Sequence, residues 1–285
     1  MKGAFRISIL VDNSTLIDQY YIGEPGFSAF LEADGMKILF DTGYSDAFLK
    51  NARMMNIDPL SAEFIILSHG HLDHTWGLLP MMREITERDF KRAADAPKPF
   101  RQKLIAHPAA FARKMVPAKD QEIGNVASMD SLQKVFDVRM IKTPLQLSEH
   151  VLYLGEIPRE TSFEPAYALG TTEDGSPDYL LDDTALAITT NEGLVILTGC
   201  SHAGICNIVQ YAMELTGETR LRDIVGGFHL LDPSEARLNG TVAFLKERNP
   251  LALHACHCTD LRSKVALGTA APIHDVGSGM MLEYD

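Results

Sequence analysis

Ser68-His69-Gly70-His71-Leu72-Asp73-His74 places three imidazoles and a carboxylate within six residues. Imidazole nitrogen and carboxylate oxygen are the donors that zinc, manganese and iron accept. His69 and His71 lie two apart, so in an extended turn both rings point the same way and grip one ion. Asp73 and His74 fall at the start of a helical pattern, from which they reach a second ion close by. Packing alone would favour apolar residues here, since an unpaired buried imidazole costs free energy. Two ions a few ångströms apart can share a hydroxide, lower the pKa of that water and stabilise charge on an attacked phosphorus or carbonyl. Asp73 is the candidate catalytic residue, a ligand that also orients the hydroxide or passes a proton to the leaving group.

The surrounding pattern reads as strands that deliver such a turn. Phe5 to Val11 is β-branched and apolar. Phe27 to Glu32 and Met36 to Phe40 flank Ala33-Asp34-Gly35, a hairpin signal. Phe64 to Leu67 is a short strand running into the motif. A helix is expected over Asp73 to Met82, a charged one over Glu84 to Ala94, a strand over Leu104 to Ala106, and a helical stretch after His107-Pro108 through Lys114. Residues 115 to 180 carry many turn signals and are expected to form an insertion or flap over a site. The C-terminal part repeats the grammar. Ala185 to Thr190 and Leu194 to Leu197 flank Asn191-Glu192-Gly193. Helices over Ile205 to Leu215 and Pro233 to Lys246 alternate with strands over Asp223 to Val225 and Leu251 to Ala255. Two such halves predict an α/β fold, a sandwich of two sheets with helices outside, in a single domain over 1–285.

Composition narrows the partners. The 285 residues are 46% hydrophobic with a formal net charge of −12, which disfavours a broad nucleic-acid surface because phosphate backbones need a concentrated basic face. No apolar run is long enough to span a membrane, and Met1 to Asn13 reads as a strand and not a signal peptide. A cytoplasmic protein acting on a small anionic substrate is the expectation, with the oligomeric state open. The four cysteines, Cys200, Cys206, Cys256 and Cys258, do not make a disulfide framework.

The His-x-His-x-Asp-His run resembles the signature of the metallo-β-lactamase superfamily, and the rest of the chain agrees. Phe40-Asp41-Thr42-Gly43 looks like its early aspartate motif, in which Asp41 would support the metal-binding histidines from outside. Ile9 to Asn13, Gly26 to Ala29, Gly155 to Arg159, Thr198 to Gly204, Gly226 to Leu230 and His257-Cys258-Thr259 resemble one subgroup. It contains the dihydropterin ribofuranosylaminobenzene phosphate synthases and many relatives called metallo-hydrolases. The resemblance implies a four-layer αββα sandwich and two divalent transition metals, zinc first, with manganese or iron as alternatives.

The sequence departs from the family pattern of later ligands. His107 and His150 are the histidines between His74 and the Thr198 motif, and neither directly precedes the 185–197 hairpin, where the family's histidine belongs. His202, two residues beyond Cys200, is therefore the candidate third imidazole, and His257 matches the last ligand. Cys200, at the family's aspartate or cysteine position, is either a further ligand or a small buried residue. Strand alternation would turn Cys256 and Cys258 away from His257. Asp183 is either a ligand or pocket residue or one of a pair of turn aspartates. His229, after two glycines, either lines the pocket or completes a turn. Arg159, stiffened by Ile157-Pro158, is the candidate contact for a substrate anion.

The leading function is hydrolysis of a small anionic ester, first a phosphoester. The alternative is the synthase-type condensation, with a pterin-type pyrophosphate leaving group. A di-iron redox protein ranks lower, because His71 stands where such members have glutamate. A metal-free binding module is opposed by the intact motif.

Overall fold

The computed structural model describes residues 5–93 and 99–285. Along the chain, β1 (Phe5–Val11) is followed by the hairpin of β2 (Ser28–Ala33) and β3 (Met36–Phe40), then α1 (Ala47–Met54) and β4 (Phe64–Ile66). The short α2 (Leu72–Thr75) and α3 (Leu78–Phe90) lead to β5 (Lys103–Ala106). An excursion with β6 (Lys114–Val116) and β7 (Gln121–Glu122) precedes α4 (Met129–Val135) and β8 (Asp137–Met140). The second half holds β9 (Leu145–Gln146), β10 (Val151–Tyr153), β11 (Thr171–Thr172) and the hairpin of β12 (Ala185–Thr190) and β13 (Gly193–Thr198). It ends with α5 (Ile205–Thr216), β14 (Leu221–Gly227), α6 (Glu235–Arg248), β15 (Leu253–Cys256), α7 (Leu261–Leu267) and β16 (Met281–Tyr284).

The strands form a sheet ordered β16-β1-β2-β3-β4-β5-β8, a second ordered β15-β14-β13-β12-β10-β9, and a small sheet β11-β6-β7. Each large sheet joins an antiparallel hairpin to parallel strands: β3 to β4 and β5, and β13 to β14 and β15. Ile9, Ile38 and Ile66 of one sheet share a core with Leu186, Val195 and Val225 of the other. The outer face of the first sheet is covered by α1, α3 and α4 through Phe48, Met81 and Leu132. The outer face of the second packs on α5, α6 and α7 through Ile208, Leu245 and Leu267. This is the αββα sandwich. Strands covered on both faces are apolar without alternation, so every residue of β13, Gly-Leu-Val-Ile-Leu-Thr, is buried. Each such aliphatic side chain contributes about 1.5–3 kcal/mol relative to exposure.

Three local expectations change. The helix expected over Asp73 to Met82 is broken at Trp76-Gly77 into α2 and α3, where the chain passes so close to Thr42 that its Oγ1 and backbone N–H both meet the His74 carbonyl. The helical stretch expected through Lys114 is a 3-10 turn over Pro108–Phe111 that gives way to β6. Pro108 starts that turn and the His107 side chain caps it by accepting from the Ala109 N–H, but nothing propagates it. The charged helix ends at Phe90, and Ala94 lies outside the described residues. No helix among the described residues is long and apolar enough to cross a membrane.

Candidate metal centre

The parallel strands of both sheets end on the same side of the sandwich, and the sequence motifs sit in the turns that follow them. Open α/β sheets present ligand sites at these carboxyl ends. Ser68 to His71 leave β4, Cys200 to His202 leave β13, His229 follows β14 and His257 follows β15. Asp41, Ser201, His229 and His257 all take positive φ, between 49° and 59°. Such left-handed non-glycine residues cost about 1 kcal/mol or more and persist where the surroundings over-determine them.

The first cluster is His69, His71 and His202, whose facing ring nitrogens lie within 4.8 Å of one another. His69 Nε2 is 3.0 Å from His71 Nδ1. Gly70 between them is required by space, since a Cβ there would sit 2.4 Å from the Ala110 carbonyl oxygen. The His69 Nδ1–H donates to Ser68 Oγ (2.9 Å), whose own proton goes to Asp41 Oδ2 (2.6 Å). His202 Nδ1 pairs with the Tyr167 hydroxyl at 2.7 Å, leaving Nε2 buried and unpartnered. Burial is the main reason these rings stay uncharged at neutral pH. It takes His69 and His202 well below the usual imidazole value and His71 down to about 4, with the neighbouring rings and Lys114 adding repulsion.

The second cluster is Asp73, His74 and His257. Asp73 Oδ2 lies 3.3 Å from His257 Nε2 and 3.7 Å from His74 Nε2. His74 Nδ1 donates to Asp41 Oδ2 at 2.7 Å, and His257 Nδ1 to Asn13 Oδ1 at 2.9 Å. Burial alone would lower His74, but Asp73 and Asp41 outweigh it and raise the ring to about 9. Burial would raise Asp73, yet His74 and His257 hold it well below the usual carboxylate range. Cys200 lies between the clusters, its Sγ 3.3 Å from His74 Nε2.

The chain that carries these clusters is similar to proteins of one superfamily. The model of the metallo-beta-lactamase superfamily matches residues 21–161. The chain is 33% identical over 250 residues to the 7,8-dihydropterin-6-methyl-4-(beta-D-ribofuranosyl)-aminobenzene-5'-phosphate synthase of Methanocaldococcus jannaschii, covering 82% of this chain and 80% of that one. The chain belongs to the metallo-β-lactamase superfamily. It is also 31% identical over 268 residues to an uncharacterized protein of the same organism, covering 92% of this chain and 93% of that one. Among solved structures it resembles a metal-dependent hydrolase of the beta-lactamase superfamily, with a TM-score of 0.80, 28% identity and 99% of this chain covering 100% of that one.

Superfamily members generally bind divalent metals, and the residues present fit such ions. His202 Nε2 and His71 Nε2 are buried nitrogens with no partner, and the Nδ1 atoms of His69 and His202 are already occupied by Ser68 and Tyr167. Outer hydrogen bonds of this kind fix the ring orientation of a metal ligand. The clusters form the floor of a cavity of about 450 Å³ lined also by Leu72, Val116, Ile123, Leu169, His229 and Leu231.

The structure brings His69, His71, Asp73, His74, His202, His257 and Cys200 together, with Asp41 behind both clusters. His229 lines the cavity, its ring stacked on Tyr167 with centroids 5.5 Å apart. His107 pairs with Glu156 and His150 with Asp34, both away from the clusters. Asp183 is buried and accepts from the Ala203 N–H at 2.8 Å, holding the His202 turn, and burial pushes its carboxyl up to about 7. It does not reach the cavity wall. Arg159 departs from expectation. It does not line the cavity, and its Nη2 donates to the Leu180 carbonyl at 2.7 Å.

Sequence reasoning missed several supports. Asp182 Oδ2 accepts from the Gly70 N–H at 2.7 Å and pairs with the fully buried Lys114, which also meets Asp178. Nothing local in Asp182-Asp183, which reads as a pair of turn aspartates, betrays a lysine 68 positions away. Asn13 lies in the Ile9 to Asn13 stretch that resembles the subgroup, but nothing there marks it as a partner of His257, and Tyr167 carries no signal at all. Cys258 was set aside by strand alternation, but β15 ends at Cys256 and the left-handed His257 turns the thiol back into the cavity. Burial opposes its ionisation, yet hydrogen bonds from Cys200 and His229 hold the Cys258 thiol well below the usual range, while burial pushes Cys200 up.

Proposed function

We propose that the protein is a two-metal hydrolase of a small anionic ester, with a phosphoester first. The observation that carries this reading is the pair of abutting donor sets, His69/His71/His202 and Asp73/His74/His257, opening onto one cavity. Two divalent ions held there supply Lewis-acid activation of water and of the ester oxygen. The first set offers neutral nitrogens, so its affinity needs no deprotonation. The second carries the charge of Asp73. Asp73 is part-exposed to the cavity, so its ionised carboxylate can orient the attacking water. His229, fixed by the Tyr167 stack and with an unpartnered Nδ1, is placed to hydrogen-bond a substrate oxygen.

Among the described residues lining the cavity there is no lysine or arginine. Attraction for an anion would therefore come from ions held by the two donor sets, while Leu72, Val116, Ile123 and Leu169 offer apolar contact to the rest of the substrate. Such walls disfavour a polynucleotide, as does the net charge of −12.

The test is a panel of phosphomonoesters, phosphodiesters, lactones and thioesters with zinc and manganese in turn, alongside elemental analysis. About two ions per chain and turnover of a phosphoester are expected. Turnover of lactones or thioesters alone would overturn the phosphate preference, and absence of metal uptake would overturn the whole reading. A condensation activity is the second reading, favoured by the 33% identical synthase of Methanocaldococcus jannaschii. Coupling of a pterin pyrophosphate to a ribosyl aminobenzene phosphate, with no ester turned over, would establish it.

A further inference from the structure

Of the four thiols, Cys206 lies on the buried face of α5 and Cys256 in the core between the sheets. Cys200 and Cys258 instead line the cavity. We propose that Cys258 is a sulfur donor to the second donor set, which with Cys200 makes it a thiophilic site that prefers zinc to manganese. This rests on the two-metal reading above and goes beyond it by assigning a ligand and a metal preference.

The geometry has three parts. Cys200 Sγ, Cys258 Sγ and a ring nitrogen of His257 all lie within 4.8 Å of one another, and His257 and Cys200 each also border His74. The backbone turns specifically to achieve this, since β15 ends at Cys256 and His257 takes φ 51°. Space is reserved for the sulfur: a Cβ on Gly227 would sit 2.6 Å from Cys258 Sγ. The His229 backbone N–H donates to that sulfur at 3.2 Å, the kind of contact that favours a thiolate. A thiol serving only as packing would be sealed in the core, as Cys206 and Cys256 are, whereas Cys258 is part-exposed at the cavity floor. Thiolate donors select zinc over the harder manganese ion.

Cobalt is the probe, because sulfur bound to it gives a near-ultraviolet charge-transfer band that nitrogen and oxygen donors do not. The full chain is loaded with cobalt and its content measured by elemental analysis. The band is expected in the wild type, reduced to about half in Cys258→Ser, and absent in Cys200→Ser/Cys258→Ser, in proportion to the sulfurs removed. Cys206 and Cys256 remain in that double variant as an internal control. An undiminished band in Cys258→Ser at full cobalt content would overturn the proposal and leave the two-metal reading standing. Failure of the wild type to take up cobalt or zinc would overturn that reading and the proposal with it. If the variants do not fold, X-ray absorption on the wild-type zinc protein decides. About one sulfur per zinc, averaged over two ions, supports both donors, and about half a sulfur per zinc overturns Cys258. In competition dialysis, Cys258→Ser is expected to lose at least roughly tenfold of its zinc preference over manganese.

Discussion

The two donor clusters share one anchor and differ in everything else that holds them. Asp41 supports both, His74 directly and His69 through Ser68. Beyond that, the first cluster hangs on the excursion between the sheets. Lys114 and Asp182 fix the Gly70 turn, and Tyr167 fixes His202. The second is tied to the end of β1, where Asp12 accepts from the His257 N–H and Asn13 orients its ring. The first is a set of neutral rings kept so by burial, and the second contains a carboxylate and has thiols beside it. A motif contiguous in sequence is thus divided between two scaffolds. One half can be loosened without the other.

The largest effect should come from breaking what the clusters share. Asp41→Ala strands the Ser68 N–H and hydroxyl and the His74 Nδ1–H in a fully buried place. Each loss of a charged partner costs about 1.5–3 kcal/mol, so a destabilisation of roughly 3 kcal/mol or more and loss of both ions are expected. Urea denaturation and elemental analysis check this. Retention of one ion would show that the clusters do not depend on a common anchor.

Next is the buried triad under the first cluster. Lys114→Met leaves Asp178 and Asp182 without their cation and should cost about 3–5 kcal/mol. Lys114→Met/Asp178→Asn/Asp182→Asn should recover part of it, because no charge is then left buried. Metal should weaken at the first cluster and hold at the second. Equal loss from both would erase the distinction between the scaffolds.

Tyr167→Phe is subtler. It removes one hydroxyl from His202 Nδ1 and keeps the ring stacked on His229. Stability should move by about 1 kcal/mol, while affinity for the first ion falls roughly 10–100-fold, the usual effect of losing a group that orients a ligand. His150→Ala, whose ring pairs with Asp34 far from the site, should leave metal content unchanged. Stepwise titration with a metal chromophore separates the outcomes, and a matching loss at the second ion would contradict the division.

The parts legible in the sequence were those in which chemistry and local periodicity coincide. The His69 to His74 run, Asp41 after an apolar strand, and Cys200 and His202 after β13 all sit at strand ends marked by apolar patterning. The sandwich followed from two hairpin-plus-helix halves and from a family resemblance spanning nearly the whole chain. What escaped is held by contacts distant in sequence. Lys114 reads as one more charged residue until Asp182 closes on it, and Asn13 as the end of a family-like stretch without a role until His257 arrives from 244 positions away. Cys258 was misread for a different reason. Alternation applies only while the strand continues, and a single left-handed residue ends it.

Arg159 tests the smallest part of the comparison. On sequence it was the candidate grip for a substrate anion, but its guanidinium braces the Leu180 carbonyl instead. Leu180 takes φ 55° just before Asp182 and Asp183, which hold the Gly70 and Ala203 turns. Arg159 thus belongs with Lys114 and Tyr167 among the supports of the first cluster. Removing one hydrogen bond from a charged donor to a backbone carbonyl should lower stability by about 1–2 kcal/mol. Since Arg159 touches no cavity wall, Arg159→Ala should reduce kcat/KM equally for an anionic substrate and for a neutral analogue, and any metal loss should fall on the first ion. A rise in KM confined to the anionic substrate would return Arg159 to the anion-binding role and separate it from the first cluster's scaffold.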